Sequence, residues 1–360
     1  MAMVKLVGLT VSGFKGLSNV SISIPGNTLI TGPSGSGKTS LTEALALLMQ
    51  SRGEEWLVLE GNYLIIHEPQ DILTGLRQDA TVTIGVEFEV DDDGVRLGES
   101  VGTKLMMGSR VGYTYSFRFS DYWVRQWVSL NGNVIAVAEK VGSEGYLVSP
   151  VRAKLCLSPT HVMHEDAYLV CEGQDVPGAR ALVFVLRNMV KDKFYYLTEG
   201  RTCLWKRDYE VTVDLPRNSV GTDGQYTVHQ LSIIQTRPEY EGIYNKVMEL
   251  ARELGIEDVK AGFTSPKRVS GYIKIRGHWL PMYHAGLKYR ALLPILTQLV
   301  LTPRDSILVI DSADLGLTED ELEVLLKIIS RVSSEVGFQV IMTSKRMVKV
   351  PGINTVQLSS

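Results

Sequence analysis

Gly32-Pro33-Ser34-Gly35-Ser36-Gly37-Lys38-Thr39 is the stretch on which the reading of this chain turns. It fills every fixed position of the phosphate-loop pattern G-x-x-x-x-G-K-[ST]. Its flanks are the ones the pattern requires. Thr28-Leu29-Ile30-Thr31 reads as a short buried strand, and Leu41, Ala44, Leu45 and Leu48 fall at i, i+3, i+4 and i+7, one apolar face of a helix. A glycine loop between a strand and a helix N-terminus turns backbone N–H groups toward an anion. Lys38 then reaches the β- and γ-phosphates, and the Thr39 hydroxyl takes one place on Mg²⁺. The loop residues, with Ser40 in the first helical turn, are the expected nucleotide-binding set, and ATP with Mg²⁺ the expected ligands.

The rest of the composition narrows the class. A length of 360 residues suits one large or two modest domains, and 44% hydrophobic with 21% charged residues is ordinary for a soluble globular chain. The net charge of −3 provides no global basic field, so nucleic-acid binding would need a local patch. Cys156, Cys171 and Cys203 lack metal-ligand spacing and cannot all pair, which suits a reduced, cytoplasmic setting. No apolar run has membrane-spanning length, and the N-terminus has no signal-peptide profile.

Periodicity divides the chain further. Residues 3–31 read as a β-hairpin and the strand that feeds the loop. A strand over 81–90 is followed by Asp91-Asp92-Asp93-Gly94, read as a turn, and strands recur at 113–119, 123–130 and 134–138. Asn131-Gly132 between the last two is a hairpin signal. Trp123 and Trp127 share one strand face, which core packing explains. Residues 182–190, 228–234 and 244–254 are helical, with loops around 201–207 and 216–225. A helix over 286–301, a buried strand at 306–310, and strands at 339–342 and 355–358 restore an α/β pattern. Thr318 and Glu321 have capping-box spacing and open a helix running to about 334. The expected architecture is an α/β P-loop NTPase core from 1–80 and 302–360. An inserted antiparallel β-lobe occupies 81–175, and a helical lobe 176–301. No sustained heptads are present, so long coiled-coil arms are not expected.

Ser306-Ile307-Leu308-Val309-Ile310-Asp311 is an apolar strand ending in a carboxylate. Such an Asp completes the magnesium site that Thr39 begins.

In this order the motifs resemble the ABC-type ATPase heads of the RecF, SMC and OLD kind. Leu9-Thr10-Val11-Ser12-Gly13-Phe14-Lys15-Gly16-Leu17 is similar to their opening hairpin. Val220-Gly221-Thr222-Asp223-Gly224-Gln225 looks like a V-G-x-D-G segment, and Asp311-Ser312-Ala313-Asp314-Leu315-Gly316-Leu317 sits where D/E-E-P-E-L-x-L is found. Met282-Tyr283-His284-Ala285-Gly286-Leu287-Lys288, with Pro294 inside the helix that follows, resembles a divergent signature motif.

The resemblance implies an ATP-dependent homodimer with each nucleotide shared between a phosphate loop and the partner's signature segment, here His284 and Gly286. It implies a glutamine-loop residue, for which Gln174 is the candidate; Gln70 and Gln78 look like surface polar residues. Three departures bear on chemistry. Ser312 stands where active relatives carry the glutamate that polarises water, and loss of a positioned base commonly costs ~10²–10⁴ in rate. Asp314 is the nearest substitute. Lys345 replaces a histidine that contacts the γ-phosphate. His284-Ala285 replaces a serine-containing sequence.

DNA is the usual client of such heads. Candidate contacts are Arg201, Trp205, Lys206 and Arg207, then Lys267 and Arg268, and the cluster from Lys345 to Lys349. The chain ends soon after its last strand, so an effector nuclease would act in trans. Two other readings follow from the residues: a nucleotide-binding scaffold that hardly hydrolyses ATP, and a transporter ATPase. The missing L-S-G-G-Q pattern and the extended β-lobe speak against the second, and no membrane partner is expected.

Overall fold

The strands around the phosphate loop sort into two kinds by burial, and the chain into two units. The computed structural model describes residues 5–51, 57–121, 123–140, 171–172, 176–202, 204, 206–212 and 215–358. In chain order the elements are β1 (Lys5–Phe14), β2 (Leu17–Ser23), β3 (Thr28–Thr31), α1 (Lys38–Gln50), β4 (Thr81–Glu89), α2 (Asp92–Ser100), β5 (Arg110–Arg118), β6 (Trp123–Leu130), β7 (Asn133–Lys140), β8 (Cys171–Glu172) and α3 (Val176–Val190). There follow β9 (Phe194–Leu197), β10 (Tyr209–Glu210), α4 (Thr227–Thr236), α5 (Glu241–Glu253), β11 (Asp258–Ser265), β12 (Arg268–Ile275), β13 (His278–Pro281), α6 (Leu287–Leu301), β14 (Ile307–Ile310), α7 (Glu319–Val336), β15 (Gln339–Ser344) and β16 (Asn354–Gln357). One unit comprises Met1–Gly26, Ser34–Phe194 and Leu358–Ser360, the other Asn27–Pro33 and Tyr195–Gln357.

The first unit is built on a seven-stranded sheet in the order β2-β1-β4-β5-β6-β7-β8. The opening hairpin and the strands after residue 80 therefore form one sheet, because β1 pairs antiparallel with β4. α1 packs against β1 and β4, burying Leu41, Ala44, Leu45 and Leu48 as their spacing required. Asn131 and Gly132 both have positive φ, 51° and 80°, the geometry of the two-residue hairpin that joins β6 to β7.

Two expectations in this unit are corrected. Asp91-Asp92-Asp93-Gly94 opens a helix rather than making a turn: the Asp91 carboxylate accepts the Gly94 N–H at 2.7 Å. Asp92 and Asp93 then sit in the first turn, where negative charge favours the helix. Trp123 and Trp127 do share a face, but not the core face. Val124, Gln126 and Val128 are the buried side of β6. The two indoles lie half-buried on the other side, with the Arg118 and Arg125 guanidinium groups 5.4 and 5.7 Å from their ring centroids.

In the second unit a five-stranded sheet runs β16-β3-β15-β14-β9. β3, β14, β15 and β16 pair in parallel, and every residue of β3, β14 and β15 is buried. Strands buried at every position belong to sheets covered on both faces. Residues of α4 to α7 share one hydrophobic core with Leu29, Leu308 and Ile310. The capping box at Thr318 and Glu321 is formed. Strand β9 and a four-stranded antiparallel sheet of β10 to β13 fall within 176–301, so the stretch expected to be a helical lobe mixes helices with strands. Among the described residues no helix is long and apolar enough to cross a membrane.

Candidate nucleotide site

β3 delivers the chain into the phosphate loop at Gly32, and α1 begins at Lys38. Gly35 and Gly37 have φ of 84° and 87°, values that side chains resist. At Gly37 there is a second constraint, since an added Cβ would lie 2.2 Å from Leu17 Cδ2. The opposite holds at Gly35, where nothing approaches within 4 Å of that position. Pro33, Ser34 and Gly35 are exposed, with Ser36, Gly37, Thr39 and Ser40 half-buried. No side chain caps the N-terminus of α1, and no acid sits in its first turn. Its positive dipole end therefore meets no carboxylate from the helix's own first turn. Lys38 is buried, and its Nζ lies 3.3 Å from Ser36 Oγ, so the ammonium curls back over its own loop. The hairpin supports this arrangement through Lys15, whose Nζ donates to Glu43 of α1 at 2.5 Å.

In the second unit, Asp311 follows β14 directly and is 1% exposed. Its Oδ1 accepts the Thr343 hydroxyl at 2.5 Å, and that hydroxyl oxygen accepts the Ser312 N–H at 2.6 Å. Ser312 is held at φ 50°, a left-handed conformation that costs a non-glycine residue free energy. Asp314 uses Oδ2 to accept the Lys345 N–H at 3.2 Å, so it braces the end of β15. Lys345 itself is exposed.

What keeps Ser312 in place comes from a residue that reading the sequence assigned elsewhere. Arg201 was expected to contact DNA. Instead it is fully buried, and its guanidinium donates to three carbonyls: Thr198 at 2.9 Å, Asp311 at 2.5 Å and Ser312 at 2.5 Å. Burial pushes its pKa down to about 10, against the pull of Asp311, Asp314 and Glu199, so it stays charged at neutral pH. A lone arginine after a short strand carries no sequence signal for this role.

The segments that resembled family motifs converge on α6. Gly224 at φ 71° leaves room for Pro294, since an added Cβ would lie 2.8 Å from the proline ring. Gly316 at φ 74° likewise admits the backbone of Lys288, 2.9 Å from such a Cβ. Gln298 of α6 accepts the Val220 N–H at 2.9 Å and donates to the Asn218 carbonyl. The Thr198 hydroxyl bonds Asp223, connecting this loop to the turn that carries Arg201. His284 is exposed and lies against Tyr283, ring centroids 4.1 Å apart and planes tilted by 39°, and Gly286 is the N-cap of α6. Gln174 and Trp205 lie outside the described residues. Gln70, Gln78, Lys206, Arg207, Lys267, Arg268, Arg346 and Lys349 are exposed.

Residues 11–56 match the P-loop-containing region of AAA domains. Solved structures extend the likeness over the whole chain. An Smc head bound to the C-terminal winged-helix domain of ScpA superposes with a TM-score of 0.54 at 14% identity, covering 95% of this chain and 89% of that one. This chain has the P-loop NTPase fold of that SMC head. The Smc head with an extended coiled coil from Pyrococcus furiosus, also bound to ScpA, gives 0.53 at 12% identity over 96% and 90%. RecF with bound nucleotide reaches 0.43 at 12% identity, too weak a likeness to add to the assignment. No curated protein matches the chain. The P-loop NTPase fold class expected from the phosphate loop and the Asp311 strand holds.

Proposed function

We propose that the chain is an ATP-gated switch in which two copies close over shared nucleotides. The phosphate loop carries this reading: two left-handed glycines, open space beside Gly35 and an uncapped helix N-terminus suit a triphosphate. Lys38 would neutralise the β- and γ-phosphates. The Thr39 hydroxyl and Asp311 carboxylate are oxygen donors of the kind Mg²⁺ takes, with phosphate and water oxygens completing its shell. That ion would draw charge from the phosphoryl oxygens during transfer. The bond from Thr343 orients the Asp311 carboxylate. His284 and Gly286, at the start of α6, would meet the γ-phosphate held by the partner copy.

Turnover is expected to be slow. Ser312 brings no base, and Asp314 already accepts the Lys345 N–H. In a steady-state phosphate-release assay, Ser312→Glu is expected to raise kcat by about 10². Brisk wild-type turnover that vanishes in Asp311→Ala and Lys38→Ala would contradict slow hydrolysis. A second reading, a nucleotide-binding scaffold that hardly turns over, rests on Ser312 and Lys345. Association with ATP but no phosphate release, even in Ser312→Glu, would select it.

The solved SMC heads carry ScpA domains, and a partner protein acting in trans, such as a nuclease, suits a head of this kind. DNA repair, chromosome maintenance or defence in the cytoplasm is the setting proposed. DNA is the proposed client, reached through exposed cations.

A further inference from the structure

The small sheet of the second unit has one face in the core and one in solvent, and the solvent face is unusual. Pairing sets Lys260 opposite Tyr272 and Lys274 opposite Trp279. Alternation along each strand places these four side chains on one side of the sheet. Val259, Val269 and Ile273 point the other way, into the core, where α4 packs. Tyr272 is 45% exposed and Trp279 40%, and Lys260 Nζ stands 5.0 Å from the Trp279 ring centroid. The part of each ring left in water adds little to folding, since burial is what makes large rings most stabilising and an exposed cation–π pair contributes only modestly.

The charges around this face point to the occupant. Lys267 and Arg268 flank the turn into β12, and Arg276 lies in the turn that leaves it, all exposed. Their ion pairs with acidic neighbours are long: Glu257, which accepts the Gly277 N–H, lies 3.9 Å from Lys274, and Asp208 lies 3.9 Å from Arg268, while Asp258, opposite Lys274, accepts the Tyr244 hydroxyl. Exposed pairs this long are worth little and give way to phosphate.

We propose that this face is a platform for single-stranded nucleic acid, with bases stacking on Trp279 and Tyr272 and backbone phosphates meeting Lys260 and Lys274. Ring faces of this kind accept any base and call for no sequence. In a duplex the base faces are hidden by their neighbours, so the platform favours single strands. The inference rests on the proposed DNA client for its biological sense, but the binding needs no ATP. The phosphate loop and the platform are therefore tested apart.

The test is fluorescence anisotropy of a labelled oligothymidylate titrated with the full chain, without nucleotide, at two salt concentrations. The wild type is expected to bind the single strand more tightly than a duplex of equal length. Trp279→Ala should weaken binding about 5- to 150-fold, and Trp279→Phe should recover part of the loss, because stacking survives in the smaller ring. In Lys260→Ala/Lys274→Ala the slope of log affinity against log salt should fall by about 1.4. All four side chains project from a formed sheet, and circular dichroism checks that the variants fold. Affinity unchanged in Trp279→Ala, or preference for duplex, overturns the proposal. So does absence of oligonucleotide binding at low salt, which would leave the face to a protein partner. ATP-dependent association measured on the same samples stands or falls separately.

Discussion

Arg201→Met is expected to lower the unfolding free energy by about 3 kcal/mol in denaturant titrations. Methionine fills much of the same volume, so cavity formation is not the main term. The loss comes from three carbonyls, those of Thr198, Asp311 and Ser312, which the guanidinium now serves inside the protein. A buried group left without its partner costs about 1–3 kcal/mol. One effect opposes this: removing a buried charge relieves its desolvation, and apolar replacements of buried ions are sometimes neutral. The geometry decides between them. Ser312 sits at φ 50°, a strained conformation that persists only while its carbonyl is held by Arg201 and its N–H by Thr343. Lysine at the same position keeps the charge but lacks the planar fork, so Arg201→Lys should recover only part of the stability. A methionine variant as stable as the wild type would mean that Arg201 does not hold the turn.

The second large effect is on nucleotide affinity. Lys38→Ala is expected to weaken binding of Mg-ATP at least 100-fold, about 3 kcal/mol, in isothermal titration. A charge-assisted bond to phosphate is worth about 1.5–3 kcal/mol, and Lys38 is the loop's own cation. Its ammonium lies 3.3 Å from Ser36 Oγ, within the loop that would hold the phosphates. Stability without nucleotide should change little by comparison. Affinity within threefold of wild type would remove the loop from nucleotide binding.

Elements set by neighbouring residues were legible from the sequence: β3, the glycine loop and α1, the Asn131-Gly132 hairpin, the Thr318–Glu321 box, and the strand ending at Asp311. Each is decided within about ten residues by side-chain period, cap or turn chemistry. What escaped depends on partners far along the chain. β9 has four residues and gains strand character from pairing in the five-stranded sheet. β13 ends in Pro281 and survives as a strand because β12 lies beside it. The acid-rich run at Asp91 has turn composition, yet the same carboxylate that favours turns also caps helices. Arg201 looked like a surface cation because arginine is rarely buried unpaired. Its partners are backbone carbonyls 110 and 111 positions away in the chain, and no local pattern announces them. Similarly, the lysines and rings of the β11–β13 face become one surface only after strand pairing sets their register.

The central claim is that nucleotide joins two copies of this chain. Light scattering coupled to size exclusion, run with Mg²⁺ and a slowly hydrolysed ATP analogue, weighs the particle directly. The account predicts a mass near twice 39.9 kDa with the analogue and near 39.9 kDa without it. Lys38→Ala should remain at the lower value in both. A wild-type chain that stays single at saturating analogue would contradict the account.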